Sequence, residues 1–240
     1  MIESANNNKI KEIIKLKDKK YQNIENKFLI EGKHLIEEAI KHGYLEEMFV
    51  LDGYTYNYDN ITYVSENVMR KISDLKTIPN MVGVARKINN GQIRGKVLLL
   101  DDIHDPGNMG TIIRSSIAFG IDTLVISNNS VNIYNPKVLR ATEGMIFNAN
   151  IIIDDTSNII KLLKDDNYTI YITDVTGGNE LKKVDFEDKC AIVIGSEASG
   201  VNEKIKELAD KRLYIKMSDK CESLNAGIAT SIILYELSNK

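Results

Sequence analysis

From Val97 onward the chain alternates short, largely apolar runs with stretches of helical spacing that lie between most of them. The runs fall at 97–100, 123–126, 151–153, 169–172, 190–194 and 213–217, and helices are expected near 109–119, 136–147, 157–165, 203–210 and 225–237. A strand with no polar alternate positions has to be covered on both faces. Strands of that kind alternating with helices predict an α/β domain with a mostly parallel sheet between two helical layers.

Before residue 88 the pattern differs. Ile10, Ile13, Ile14 and Leu16 have helical spacing, and Phe28-Leu29-Ile30 reads as a short strand. A second helix carries Leu35, Ile36, Ala39 and Ile40 on one face, and a third is expected over 68–75. Further strands are expected at 48–51, 61–64 and 81–85. Arg86 to Lys96 is polar and contains Asn89-Asn90-Gly91 and Gly95. The expected organisation is therefore a small mixed α/β domain over 1–88, a linker over 89–96 and a larger domain over 97–240.

A hydrophobic content of 43% is enough for a core. The Asn- and Lys-rich start does not read as a secretory leader, and no apolar run reaches the length of a membrane span. Cys190, Cys221 and three scattered histidines lack metal-ligand spacing, so neither a disulfide framework nor a metal site is expected. The expected location is cytoplasmic, away from membranes. A net charge of −3 argues mildly against a nucleic-acid partner, yet residues 9–33 hold eight lysines against four acids. Such a stretch is either a solvated helix face or a local phosphate-binding surface. Lys9, Lys17, Lys19, Lys20, Lys33, Arg70, Lys71 and Lys76 are the candidate phosphate contacts.

Three polar turns follow apolar runs, where open α/β sheets keep their ligands. The first is Asp105-Pro106-Gly107-Asn108-Met109-Gly110, with Asn108 at the expected helix N-cap and Arg114 on the polar face of the helix that follows. The second is Gly195-Ser196-Glu197-Ala198-Ser199-Gly200, whose single charge is Glu197 and whose glycines let backbone N–H groups approach a ligand. The third, Ser218 to Ser223, opens a helix that is apolar almost all round, with Ser223 and Asn225 as capping residues. Such a helix is expected to be covered from several sides.

Taken together with Asn135-Pro136-Lys137-Val138-Leu139-Arg140-Ala141-Thr142, these turns resemble the SpoU (TrmH) family of RNA ribose 2′-O-methyltransferases. The likeness covers residues 97–238, and the first 88 residues look like the ribosomal-protein-like substrate-binding domain of many members. The resemblance implies a C-terminal deep trefoil knot, a homodimer and S-adenosylmethionine as cofactor. It places the cofactor at Thr173-Asp174, Gly195-Ser196, Ile215 to Met217, Ser223 and Leu224. It assigns catalytic positions to Asn108, Arg114, Glu197, Ser223 and Asn225. Arg114 is the family's proposed base, acting in the neighbouring subunit's site. A charged guanidinium that clamps a phosphate is physically easier, because a neutral arginine is costly. The family usually has Asn at Ser196 and Gly at Ala198, which leaves open a side-chain contact from residue 196.

A dinucleotide-binding dehydrogenase would need a Gly-x-Gly-x-x-Gly turn after an early strand, and none exists. Ribosomal RNA of the large subunit is favoured as substrate over transfer RNA. The remaining alternative is a non-catalytic RNA-binding or ribosome-assembly protein on the same fold.

Overall fold

The computed structural model describes residues 1–88, 91–175 and 177–239, so Asn89 and Asn90 of the expected linker lie outside the described residues. Two compact units are present, residues 1–88 with 134–148 and residues 89–133 with 149–240. Among the described residues no helix is long and apolar enough to cross a membrane.

The first unit begins with α1 (Asn8–Lys15), α2 (Lys19–Glu25), β1 (Lys27–Glu31), α3 (Lys33–Lys41), β2 (Leu45–Leu51), β3 (Ile61–Val64), α4 (Glu66–Ile72) and β4 (Met81–Arg86). Its sheet has the order β1-β4-β2-β3, with β4 antiparallel to both neighbours and β3 parallel to β2. Ile10, Phe49, Val68, Met69, Ile72 and Val82 are fully buried in its core. Helix α2 carries no apolar stripe, since Gln22 is its one buried residue, and hydropathy spacing therefore does not announce it. Its ends are local instead: Asp18 accepts from Lys20 N at 2.8 Å, and Asn26 stops the helix with φ 54°. Helix α4 ends earlier than the expected 75. Buried Glu31 accepts from Ser73 Oγ at 2.7 Å and from Asp74 N at 2.9 Å, which holds the chain in an extended turn.

The second unit contains β5 (Val97–Leu100), α5 (Pro106–Ala118) and β6 (Thr123–Ile126). The chain then contributes α6 (Pro136–Thr142) to the first unit. It continues with β7 (Ile151–Ile153), α7 (Thr156–Asp165), β8 (Thr169–Thr173), β9 (Asn179–Glu180), β10 (Cys190–Ile194), α8 (Glu203–Leu208), β11 (Lys211–Tyr214) and α9 (Ala226–Ser238). Every pairing in its seven-stranded sheet, β7-β6-β5-β10-β8-β11-β9, is parallel. Strands β5, β6 and β10 are buried at every position, as their unbroken apolar runs require. Strand β11 lies upstream of the expected 213–217, because residues 215–217 leave the sheet.

Residues 134–148, expected within the larger domain, belong instead to the first unit. Aromatic packing explains this: the Tyr134 ring lies 4.5 Å from that of Phe28, and the Phe147 ring 5.4 Å from that of Tyr44. The single helix expected over 136–147 is also two pieces. Glu143 (φ 49°) and Gly144 (φ 79°) adopt left-handed backbone, and a 3-10 turn follows at Met145–Asn148.

Helix α9 packs against α5, with Ser115 Oγ and Ser231 Oγ 2.7 Å apart and the Phe119 and Tyr235 rings edge-on at 5.9 Å. Thr230, Ile233, Leu234 and Leu237 are buried, but Ile228, Ile232 and Tyr235 are 53%, 36% and 55% exposed. Within one chain, then, α9 is covered on one side only.

Candidate active site

The neighbouring strands β5, β10, β8 and β11 end side by side, and the segments that leave them enclose a cleft of about 690 Å³. That volume suits a small-molecule ligand. The chain runs outward from β5 to β6 and β7, then resumes at β8 on the far side of β10. The cleft thus lies at a topological switch point of a parallel sheet.

Asp105, and not Asn108, caps α5, because its Oδ1 accepts from Asn108 N at 2.7 Å. The helix starts earlier than expected since Pro106 is pre-set for a first helical turn. Asn108 therefore sits inside that turn with its side chain released from capping. Its Nδ2 donates to Glu197 Oε1 at 2.9 Å. The same carboxylate accepts from Asp105 N at 3.2 Å and His104 N at 3.3 Å. Burial acts to raise the Glu197 pKa, but hydrogen bonds from Asn108 and the backbone outweigh it and hold the carboxyl below the usual range. Glu197 is thus an anion tied to the first loop by neutral donors.

Gly195 is required where it stands. A Cβ there would lie 2.2 Å from Gly200 C and Val201 N, because the second loop folds back on itself. Gly200 N donates to Ser196 O at 2.9 Å, and Ala198 N donates to Ser196 Oγ at 3.3 Å. In the third loop Asn225 caps α9, its Oδ1 accepting from Gly227 N at 3.0 Å and Ile228 N at 3.2 Å. Ser223 does not share that capping role; it is exposed, and its carbonyl accepts from Cys221 Sγ at 3.2 Å.

Of the positions expected around the cofactor, Thr173, Asp174, Gly195, Ser196, Ile215, Met217, Ser223 and Leu224 line the cleft, and Lys216 does not. Asn108, Glu197 and Asn225 line it as well. Arg114 does not. It is exposed on α5, and among the described residues it has no hydrogen-bond or ion-pair partner. Lys206, Tyr214 and Ile233 also line the cleft and were not expected there. Tyr214 ends β11 and Ile233 lies within α9, so only the meeting of those elements reveals them. Lys206 is ion-paired with Glu203 at 2.7 Å, and its spacing alone looks like an ordinary helix surface.

The candidate phosphate contacts divide into two groups. Lys9 pairs with Glu47, Lys17 with Asp74 at 2.7 Å, Lys33 with Glu37 at 3.7 Å and Arg70 with Glu66 at 2.9 Å. Among the described residues Lys19, Lys20, Lys71 and Lys76 have no acidic partner within ion-pair distance. The lysine-rich stretch is therefore much less of a free cationic surface than its composition suggests.

Residues 95–235 match the SpoU rRNA methylase family, and residues 7–83 match an MRM3-like substrate-binding domain. The chain is 32% identical to the 23S rRNA (guanosine(2553)-2′-O)-methyltransferase RlmP of Bacillus subtilis, across 98% of each chain. A crystal structure of an RNA 2′-O ribose methyltransferase superposes with a TM-score of 0.83 at 26% identity, covering 98% of this chain and 96% of the other. The SpoU methyltransferase AviRb from Streptomyces viridochromogenes, solved with S-adenosylmethionine, shares the fold with a TM-score of 0.87 at 21% identity over 97% of each chain. A parallel α/β sheet with a cleft at its switch point places the second unit in the doubly wound class, whose ligands bind there. The chain belongs to the SpoU family, and it is an S-adenosylmethionine-dependent RNA 2′-O-methyltransferase.

Proposed function

We propose that the enzyme methylates a ribose 2′-oxygen of 23S ribosomal RNA, and that the cleft at the ends of β5, β10, β8 and β11 is its cofactor site. The observation that carries the site is the convergence of Glu197, Asn108 and the Asn225-capped end of α9 on one cleft. The ribosomal substrate rests on likeness across the whole length to the B. subtilis enzyme. The cleft suits this cofactor chemically. Ile194, Ile215, Leu224 and Ile233 offer apolar walls for an adenine, while backbone groups of the loops and the Glu197 carboxylate suit a polar, cationic end.

When bound, S-adenosylmethionine supplies a methyl group on a positively charged sulfur, already activated for transfer. The protein must then align the ribose oxygen with that methyl group and help its proton leave. Glu197 and Asn108 fix the second loop against the first, so that both face the cleft in one geometry. Arg114, a guanidinium without a partner among the described residues, holds the phosphate beside the target ribose and favours loss of the hydroxyl proton.

Arg114 lies outside its own chain's cleft, which suits action across a homodimer. The exposed Ile228, Ile232 and Tyr235 of α9 form one stripe at helical spacing beside α5, the helix that carries Arg114. Covering the remaining exposed part of each isoleucine against a second copy contributes roughly a third to a half of the 1.5–3 kcal/mol of a full side-chain burial. The C-terminal segment is proposed to be threaded as a trefoil knot, because β10 enters between β5 and β8 and α9 then returns to α5. The enzyme is proposed to work in the cytoplasm, where its RNA is found.

The test is transfer of labelled methyl to ribosomal and transfer RNA from a strain lacking this protein, assayed separately and mapped. Label on a ribose of large-subunit RNA is the expected result. Label confined to transfer RNA would overturn the substrate.

A further inference from the structure

Lys87 is a partly buried cation of the first unit. It follows β4, donates to Asn23 Oδ1 at 2.8 Å and lies 4.8 Å from the centroid of the Tyr134 ring. Tyr134 is only 3% exposed, so the ammonium rests against protein on that side. Among the described residues no carboxylate comes within ion-pair distance of Lys87. Lys9, Lys17, Lys27, Lys33, Lys41 and Arg70 of the same unit each have one. Burial, and after it the neighbouring charge of Lys19, lowers the Lys87 pKa. Removing a cation from water beside another cation is unfavourable unless an anion restores the balance.

The surroundings form a surface rather than an isolated residue. Lys19 and Asn23 are one turn apart on α2 and share a face. Ile24, next to Asn23, is 63% exposed. Tyr134 leads into α6, where Lys137 and Arg140 are one turn apart, exposed, and without an ion-pair partner among the described residues. Helices α2 and α6 both pack on β1, the edge strand of the first unit's sheet. Asp18, Glu25 and Glu143 are the acids on or capping these two helices, all exposed and, among the described residues, none within ion-pair distance of these cations.

We infer that Lys19, Asn23 and Lys87 form a phosphate-binding site for the RNA strand, continued by Lys137 and Arg140 along the β1 edge. The inference rests on the ribosomal RNA reading above and adds to it where the first unit holds its substrate. Charge complementarity selects a polyanion: two ammonium groups and an amide donor suit a phosphodiester, and exposed Ile24 offers an adjoining base an apolar contact.

The test is binding of transcribed large-subunit ribosomal RNA by the full chain, with KCl varied from about 50 to 200 mM. Lys19→Gln combined with Lys87→Gln should weaken binding at least about tenfold. It should also flatten the log–log salt slope by about 1.4, at about 0.7 for each single-strand phosphate that is no longer neutralised. S-adenosylmethionine affinity, measured on the same preparations, should be unchanged and so report intact folding. Asn23→Asp, which gives Lys87 a counter-charge within the protein, should weaken binding in the same direction, whereas Lys87→Arg should retain it. Wild-type affinity and slope in the double variant would overturn this site alone. Wild-type protein that binds cofactor but neither binds nor methylates ribosomal RNA would overturn the substrate reading and the site together.

Discussion

The two units handle charge in opposite ways. In the first, Lys9, Lys17, Lys33 and Arg70 are each matched with a nearby acid. In the second, Glu197 is held by an amide and two backbone N–H groups and, among the described residues, has no ion-pair partner. An exposed ion pair contributes about 0–1 kcal/mol and leaves little net charge to attract a ligand. A carboxylate held by neutral donors keeps its charge and its position at once. Residue counts favour the first unit as the electrostatically active region, but hydrogen-bond geometry points to the second.

The comparison breaks first at Arg114. Arg114→Ala should lower methyl transfer by at least about a hundredfold, as loss of a transition-state donor does, and leave cofactor affinity intact. Normal turnover by that variant would remove Arg114 from the mechanism. Next is Glu197→Gln, which turns an amide donor toward N–H groups that need an acceptor. Unsatisfied donors cost about 1–3 kcal/mol, or roughly 5- to 150-fold in kcat/KM. A change of less than about twofold would mean that the loops hold their geometry without it.

Smaller effects sharpen the picture. Ile232→Asp should give particles near the monomer mass of 27.0 kDa in sedimentation, with the fold intact. A dimer that survives this change would move the proposed interface elsewhere. Asn225→Ala removes a cap that serves two N–H groups and should cost about 1 kcal/mol, lowering Tm by about 2–4 °C. An unchanged Tm would show that the α9 terminus is held by its packing instead.

The last test is titration. Because the folded-state pKa of Glu197 lies below its ordinary value of 4.5, its stabilising contribution is fully present above that pH and is lost as pH falls through the folded value. Glu197→Gln should therefore flatten the acid limb of stability below about pH 4.5 and leave its slope at neutral pH unchanged. Equal acid limbs in the two proteins would mean that the carboxyl is not preferentially stabilised by folding.

The sequence by itself determined the elements whose signal is local. Runs such as Leu98-Leu99-Leu100 and Ile192-Val193-Ile194 had to be central strands, whereas the close approach of Gly195 to the backbone of Gly200 and Val201 was not legible. The cleft was legible in part, since the first two turns follow such strands and each of the three turns contributes to its lining. Helix α2 was not legible, because caps make it and no apolar stripe marks it. Nor was the position of residues 134–148, which Phe28 and Tyr44 fix from more than ninety residues away in the chain. Tertiary structure alone decided that Asp105 caps α5 and so frees Asn108 for Glu197. It alone decided that Lys9 and Lys17 are neutralised while Lys19 and Lys87 are not. The physical reason is that propensity and hydropathy act over a few residues, whereas a hydrogen bond or an ion pair depends on which distant atoms the fold brings within about 3–4 Å.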